Sequence, residues 1–456
     1  MGDHRRVLLM LVDAVRARHV LVDGAFVPAT VTITDGTIST VAPFDHQLTG
    51  TVLDAPDTAY VLPGVVDTHV HVNEPGRTEW EGFTSATTAA ALGGVTTLVD
   101  MPLNSLPPTT TVAHLRAKQQ AAAGQLAVDV AFWGGAVPGN LAHLEPLWDA
   151  GVLGFKCFLS PSGVEEFPPL SPADFTAALT EVARIDALMV VHAEDAAVLE
   201  AAPAVPSRAY ADFLLSRPDT AETTAIARVI DGARRTGARV HVLHLSSARA
   251  LDLLADARAE GLPITVETCP HYLCFTAEAI PDAAPQFKCC PPIRDAGNRE
   301  QLWQALCDGV IDVVVSDHSP ATAQEKLRGD GELQQAWGGV SGLQVGFTAV
   351  AHEARERGIG LAEVSRWMSR STAELVGLGG KGRIAPGADA DLAVYDTATE
   401  LHVDVDRLAH RNPLSAYDGL RYAGSVVHTV VAGAVVAASP DHSRGRLLTR
   451  PPGRPS

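Results

Sequence analysis

From about Val20 to Thr51 the chain is a series of short apolar runs broken by turn residues, as in VLVDGAFVP and VTITDGTIST. Asp23-Gly24 and Asp35-Gly36 sit between β-branched residues, the pattern of tight hairpins. The same texture returns near the other end, in DADLAVYD at 389–396 and SVVHTVVAGAVVA at 425–437. Neither end shows a helical period. These features predict one small β-sandwich domain assembled from both ends of the chain, residues 15–62 and 380–440, with the middle inserted into it.

The middle alternates apolar, strand-like runs with Ala-rich or amphipathic stretches, the pattern of a parallel sheet with crossover helices. Candidate strands lie at 61–71, 94–101, 126–135, 152–159, 187–194, 239–246, 263–269 and 311–317. Candidate helices between them include 81–92, 112–123, 171–184, 221–236, 248–260 and 299–308. Eight strands over roughly 250 residues are what a (β/α)8 barrel requires, so the α/β fold expected for residues 63–379 is a TIM barrel. The end of the chain, 441–456, is rich in Pro, Arg and Ser and is expected to be a disordered, solvated tail.

Composition narrows the partners. Of 456 residues, 46% are apolar, enough for a large core, and the formal charge of −18 disfavours a nucleic acid or an anionic membrane surface as partner. The apolar run Val7–Val12 is too short to span a membrane. Six cysteines without a CxxC pair are too few for a disulfide scaffold and read as reduced thiols. Together these features predict a soluble, acidic, cytoplasmic protein.

A barrel of this kind carries its chemistry at the C-terminal ends of its strands. The first strand ends in His69-Val70-His71, and the period of two puts both imidazoles on one face. Lys156 lies in the fourth strand, His192 ends the fifth, His244 the sixth and Asp317 the eighth. A single His at a strand end is more often a hydrogen-bonded structural residue than a ligand, but a lysine within an apolar strand is costly unless it is used. Convergence of all six on one rim points to a metal site. Imidazoles and a carboxylate suit a borderline divalent ion such as zinc. An ammonium cannot ligate a cation, whereas lysine carbamylated by CO2 (N6-carboxylysine) offers carboxylate-like oxygens. The expected arrangement is therefore a binuclear centre, with His69 and His71 on one ion, His192 and His244 on the other, Lys156 bridging, and Asp317 bound to one ion and facing the nucleophile.

At these residues the chain resembles the cyclic-amidohydrolase branch of the amidohydrolase superfamily, which includes dihydroorotases, hydantoinases and allantoinases. The motifs DTHVH, GFKCF, VHAED, HVLHLSS and SDHSP match family motifs, and GRIAPGADAD at 382–391 looks like the family's return into the β domain. Within the branch, DTHVHVNEPGRTEWEGF (67–83), MPLNSLPPT (101–109), ETCPHYL (267–273), KCCPPIRD (288–295) and AWGGVSGLQ (336–344) look most like the allantoinases. Two residues after the HxH, where dihydroorotases usually carry an Arg for the substrate carboxylate and hydantoinases an Asp, stands Asn73; Arg77 remains nearby. A neutral hydantoin ring with a ureido arm needs no such cation.

The resemblance implies hydrolysis of the hydantoin-ring amide of the small molecule allantoin to allantoate, by a hydroxide that two metal ions activate and with Asp317 shuttling the proton. It also implies a homo-oligomer, commonly a tetramer. Asn104 and Ser319 are candidates for binding ring amide or carbonyl groups, against alternative roles as turn and segment caps, and Cys289 could line the pocket. His318 could orient Asp317 or a ligand, or equally make a structural hydrogen bond, and the polar, Gly-containing segment 321–340 reads as a loop or lid. The alternatives are dihydroorotase or hydantoinase activity and, from another class, a non-catalytic scaffold; scaffold relatives lose ligands, whereas all six positions are filled here.

Overall fold

A computed structural model describes residues 10–436 and 444–450. We label the barrel strands β1 (Val65–Val70), β2 (Val95–Asp100), β3 (Asp129–Phe132), β4 (Phe155–Phe158), β5 (Leu188–His192), β6 (Arg239–Val242), β7 (Ile264–Thr268) and β8 (Val313–Val314). All neighbouring pairs are parallel: β1–β2–β3 form one run, and the chain past β3 continues through Gly134–Gly135 into the run β4 to β8. The ring closes where the His71 N–H donates to the His318 carbonyl at 2.8 Å.

The strands are apolar on both faces because the barrel fills their inner side and helices cover the outer one. The helices begin and end where local chemistry dictates. The Ser171 hydroxyl accepts from the Asp174 N–H, with Pro172 at the first helical position of Pro172–Arg184. Helix Asp219–Thr236 stops at Gly237, which adopts a left-handed φ of 72°.

The two ends of the chain meet in one curled nine-stranded sheet. Its order runs from Met10–Leu11 through Ala434–Val435, Arg421–Val431, Leu392–His402, Ala59–Pro63, Ala14–Val22 and Ala25–Thr34 to Thr37–Pro43, with Val52–Asp54 paired beside Ala14–Val22. It closes over its own apolar cluster, including Val15, Val31, Ile38, Val61, Leu392 and Val394. The fold is thus a TIM barrel with a β-sandwich-type domain built from both termini.

Two expectations are corrected. The apolar run 61–71 is two strands rather than one: Ala59–Pro63 belongs to the nine-stranded sheet and Val65–Val70 to the barrel. Gly64 lies between them because any Cβ there would collide with the Thr96 side chain. Nor are residues 444–450 a solvated tail. They run alongside β3, with Val130 donating to the Arg446 carbonyl at 2.9 Å and Leu448 donating to the Val130 carbonyl at 2.8 Å. Arg446 pairs with Asp129 and Asp389 at 2.9 Å each, and Lys381 bridges Asp129 and Asp391 at 2.6 Å each beneath it. The rest of the expected tail, and residues 1–9, lie outside the described residues. Among the described residues, no helix is long and apolar enough to cross a membrane.

Candidate metal centre

The six residues singled out by their strand positions come together at one end of the barrel. His69 is fully buried and His71 is 5% exposed, and both project inward as the period of two requires. His69, His71 and Asp317 offer ligand atoms that all lie within 4.8 Å of one another. The Nε2 of His69 is 3.2 Å from Asp317 Oδ1 and 3.3 Å from Lys156 Nζ. In the same cavity wall as Lys156, His192 Nδ1 and His244 Nε2 face each other at 3.0 Å. His244 and Asp317 follow their strands in the left-handed region, at φ 35° and 43°, which is uncommon for residues other than glycine and is typical of functional rims.

Buried carboxylates hold these rings in place. The Nδ1–H of His69 donates to Glu267 at 2.5 Å, leaving Nε2 turned toward Lys156 and Asp317. Glu267 also accepts from His241 Nε2–H and from the His244 N–H, each at 3.0 Å. His192 Nε2–H donates to Glu194 at 2.8 Å, which leaves Nδ1 toward His244, and Arg217 in turn donates two hydrogen bonds to Glu194. Against burial, which would raise them, Arg217 and the His192 hydrogen bond hold the Glu194 carboxyl at about 2, and His69 and His241 do the same for Glu267. Burial pushes His71 and His244 well below the ordinary imidazole range, so both rings are neutral, the form that binds metal.

Lys156 is 1% exposed, and no carboxylate stands within salt-bridge distance of it among the described residues. Burial pushes its amine down to about 8. The buried Nδ1 of His244 has no hydrogen-bond partner among the described residues. Neutral imidazoles facing one another, one carboxylate and an unpaired buried lysine form a poor hydrogen-bond network. They form a good set of donors for divalent cations.

A cavity of about 300 Å³ opens over this cluster. Asn104, Ser319 and Cys289 all line it. Asn104 Nδ2 lies 3.5 Å from His71 Nδ1, and Ser319 Oγ donates to Asp317 Oδ1 at 3.0 Å, so Ser319 also orients that carboxylate. Of the two roles open to His318, the structure shows the structural one: its ring bonds Glu81 at 3.1 Å and accepts from the Gly342 N–H at 3.2 Å, holding the barrel seam. Cys290 and residues 334–339, Trp337 among them, complete the wall, so part of the segment expected to be a loop or lid forms one side of the cavity.

Apart from Lys156, the cations bordering the cavity are already engaged. Arg217 is bound to Glu194, and Lys288 Nζ donates to the Gln334 and Ala336 carbonyls. Arg77 is turned aside, donating to Glu166 and to the Asn104 carbonyl at 2.7 Å. Asn73 is fully buried, its side chain reaching the Pro320 carbonyl at 3.4 Å.

Sequence reasoning missed Glu267, Glu194, Arg217 and Lys288. The only signal for Glu267 was an acid inside the apolar run ITVETC, and Glu194 sat unremarked two residues past His192.

The sequence profile described as "Amidohydrolase family" matches residues 60–436, which take in the whole barrel and most of the C-terminal strands. The chain belongs to the amidohydrolase family. Members of this family are metal-dependent, in keeping with the His and Asp groups gathered here. The chain is 54% identical to an allantoinase of Streptomyces avermitilis, covering 93% of this chain and 96% of that one. It is 45% identical to an allantoinase of Saccharomyces cerevisiae, covering 94% and 95%. Among solved amidohydrolases, the L-hydantoinase (dihydropyrimidinase) of Arthrobacter aurescens superposes with a TM-score of 0.90 at 30% identity, covering 97% of this chain and all of that one.

Proposed function

We propose that this amidohydrolase opens the hydantoin ring of allantoin by hydrolysing its ring amide, giving allantoate. The observation that carries the reading is the 54% identity with an allantoinase over nearly the full length of both chains. The cavity supports it. With Arg217 and Lys288 engaged and Arg77 turned aside, the pocket suits a neutral ring and arm better than a carboxylate-bearing ring such as dihydroorotate.

His69, His71 and Asp317 would hold one divalent ion, and His192 and His244 a second, with zinc as the ion we propose. Lys156 would join them as its carbamate. Burial lowers its amine to about 8, which raises the neutral form that can attack CO2, forming the N–C bond and releasing one proton. When bound, the ions acidify a water and polarise the scissile carbonyl.

The remaining work falls to the chain's own side chains. Asp317, oriented by Ser319, takes the proton of the attacking water and delivers it to the ring nitrogen as the C–N bond breaks. Asn104, Ser319 and Cys289 border the space where the ring's amide and carbonyl groups would sit, and Trp337 lines the same cavity. We further propose that the protein works as a cytoplasmic homo-oligomer, commonly a tetramer in this branch.

Product analysis tests the activity. Incubation of the metal-loaded enzyme with allantoin should yield a species heavier by one water, with the NMR spectrum of allantoate. Unchanged allantoin under conditions that support metal loading would refute the proposal.

A further inference from the structure

Two buried lysines beside the cavity use their charge in an unusual way. Lys326, at the end of the short helix Ala323–Lys326, is 4% exposed, and its Nζ donates to the backbone carbonyls of Lys288 at 3.2 Å, Trp337 at 2.9 Å and Gly339. Lys288 is 7% exposed, and its Nζ donates to the carbonyls of Gln334 at 3.2 Å and Ala336 at 2.5 Å. Gly339 N–H returns a bond to the Lys288 carbonyl at 2.8 Å, tying the two strings together.

Neither ammonium has a carboxylate partner among these contacts. Both ammoniums are met by backbone carbonyls alone, and an apolar side chain of the same volume would fill the space without the desolvation of a charge. Burial pushes the Lys326 amine down to about 7, while three carbonyl acceptors favour the form with three protons. What the lysines supply is direction. A peptide unit is planar, with its C=O and N–H opposed, so turning the carbonyls of Gln334, Ala336, Trp337 and Gly339 inward fixes the edge that this segment presents to the cavity. The segment has no regular strand or helix of its own to do so.

We infer that Lys326 and Lys288 are positioning residues for substrate selection, clamping the backbone of 334–339 into the wall that decides what the reacting ring may carry. The inference rests on the cavity being the allantoin site. Neither lysine contacts the metal-ligand cluster in this arrangement, so binding and selectivity should respond to their removal more than the chemical step does.

The test is Lys326→Met in the metal-loaded enzyme, read by amide hydrogen exchange over 327–340 and by kinetics on allantoin and on unsubstituted hydantoin. Expected are faster exchange in that segment and a KM for allantoin raised about tenfold, with kcat and metal content within about twofold of wild type. The KM for hydantoin, which lacks the ureido arm, should move less. Lys326→Gln keeps donors without the charge and should fall between; it carries the test if the Met variant does not fold. Unchanged exchange overturns the clamp. Faster exchange with the allantoin-to-hydantoin preference intact overturns the role in selection. The exchange result stands independently of the activity, so a wild-type enzyme inactive on allantoin would count against the proposed function and not against the clamp.

Discussion

The ring of His69 donates to the carboxylate of Glu267 at 2.5 Å, and both side chains are shut off from solvent. Glu267 therefore fixes which nitrogen of His69 is free, and through the His244 N–H it also fixes the end of β6. Glu267→Gln should weaken metal retention about 10- to 100-fold while leaving the barrel folded. Metal content after dialysis against graded chelator checks this, and retention equal to wild type would remove Glu267 from the account.

Lys156 and Asp317 should separate under mutation. Lys156→Ala should lose bound metal and nearly all activity together, because the bridging group goes. Asp317→Asn should keep more of its metal than of its turnover, since an amide can still ligate weakly but cannot accept the proton. Metal analysis alongside kcat for the two variants decides. Wild-type-like turnover from Lys156→Ala would eliminate the carbamate.

Glu194 gives the fold an acid-sensitive bond. Its folded value of about 2 lies below the ordinary 4.5, so the stability it contributes is full above about pH 4.5 and is lost as pH falls toward 2. The window is worth about 3 kcal/mol on this shift. Urea unfolding of the metal-free protein across that range should show wild type losing more stability than Glu194→Gln by about that amount. Parallel pH dependence of the two proteins would contradict it.

The segment 444–450 is attached by four backbone hydrogen bonds, from Gly445 to Leu126, Val130 to Arg446, Leu448 to Val130 and Arg450 to Gly151. At about 1 kcal/mol each, ending the chain at Ser443 should cost about 4 kcal/mol and lower the Tm. The half-exposed Arg446 contributes little to that by itself. An unchanged Tm on truncation would show the segment to be dispensable.

The parts of this site that were legible in the sequence are those with a periodic or costly signature. His69 and His71 announced a shared face because strand period is two, and Lys156 stood out because a lysine in GFKCF has no cheap reason to be there. Glu194 and Lys326 gave no such signal, and the acid inside ITVETC did not by itself say what Glu267 meets. Their roles depend on which side chain or carbonyl arrives from another strand or loop, and spacing along one segment does not carry that information. The tail misled for a related reason: its composition is that of a solvated segment, yet its backbone pairs with β3 and its Arg446 meets carboxylates from two distant stretches. Similarly, 61–71 read as one strand because its apolar run continues through Gly64, and only the close approach of Thr96 marks the break.

The central claim is best tested by kcat/KM measured in parallel for allantoin, dihydroorotate and hydantoin with one metal-loaded preparation. The account predicts that allantoin is preferred over both. Faster turnover of dihydroorotate would contradict the argument that the pocket's cations are engaged elsewhere, and faster turnover of hydantoin would contradict the assignment of allantoin as substrate.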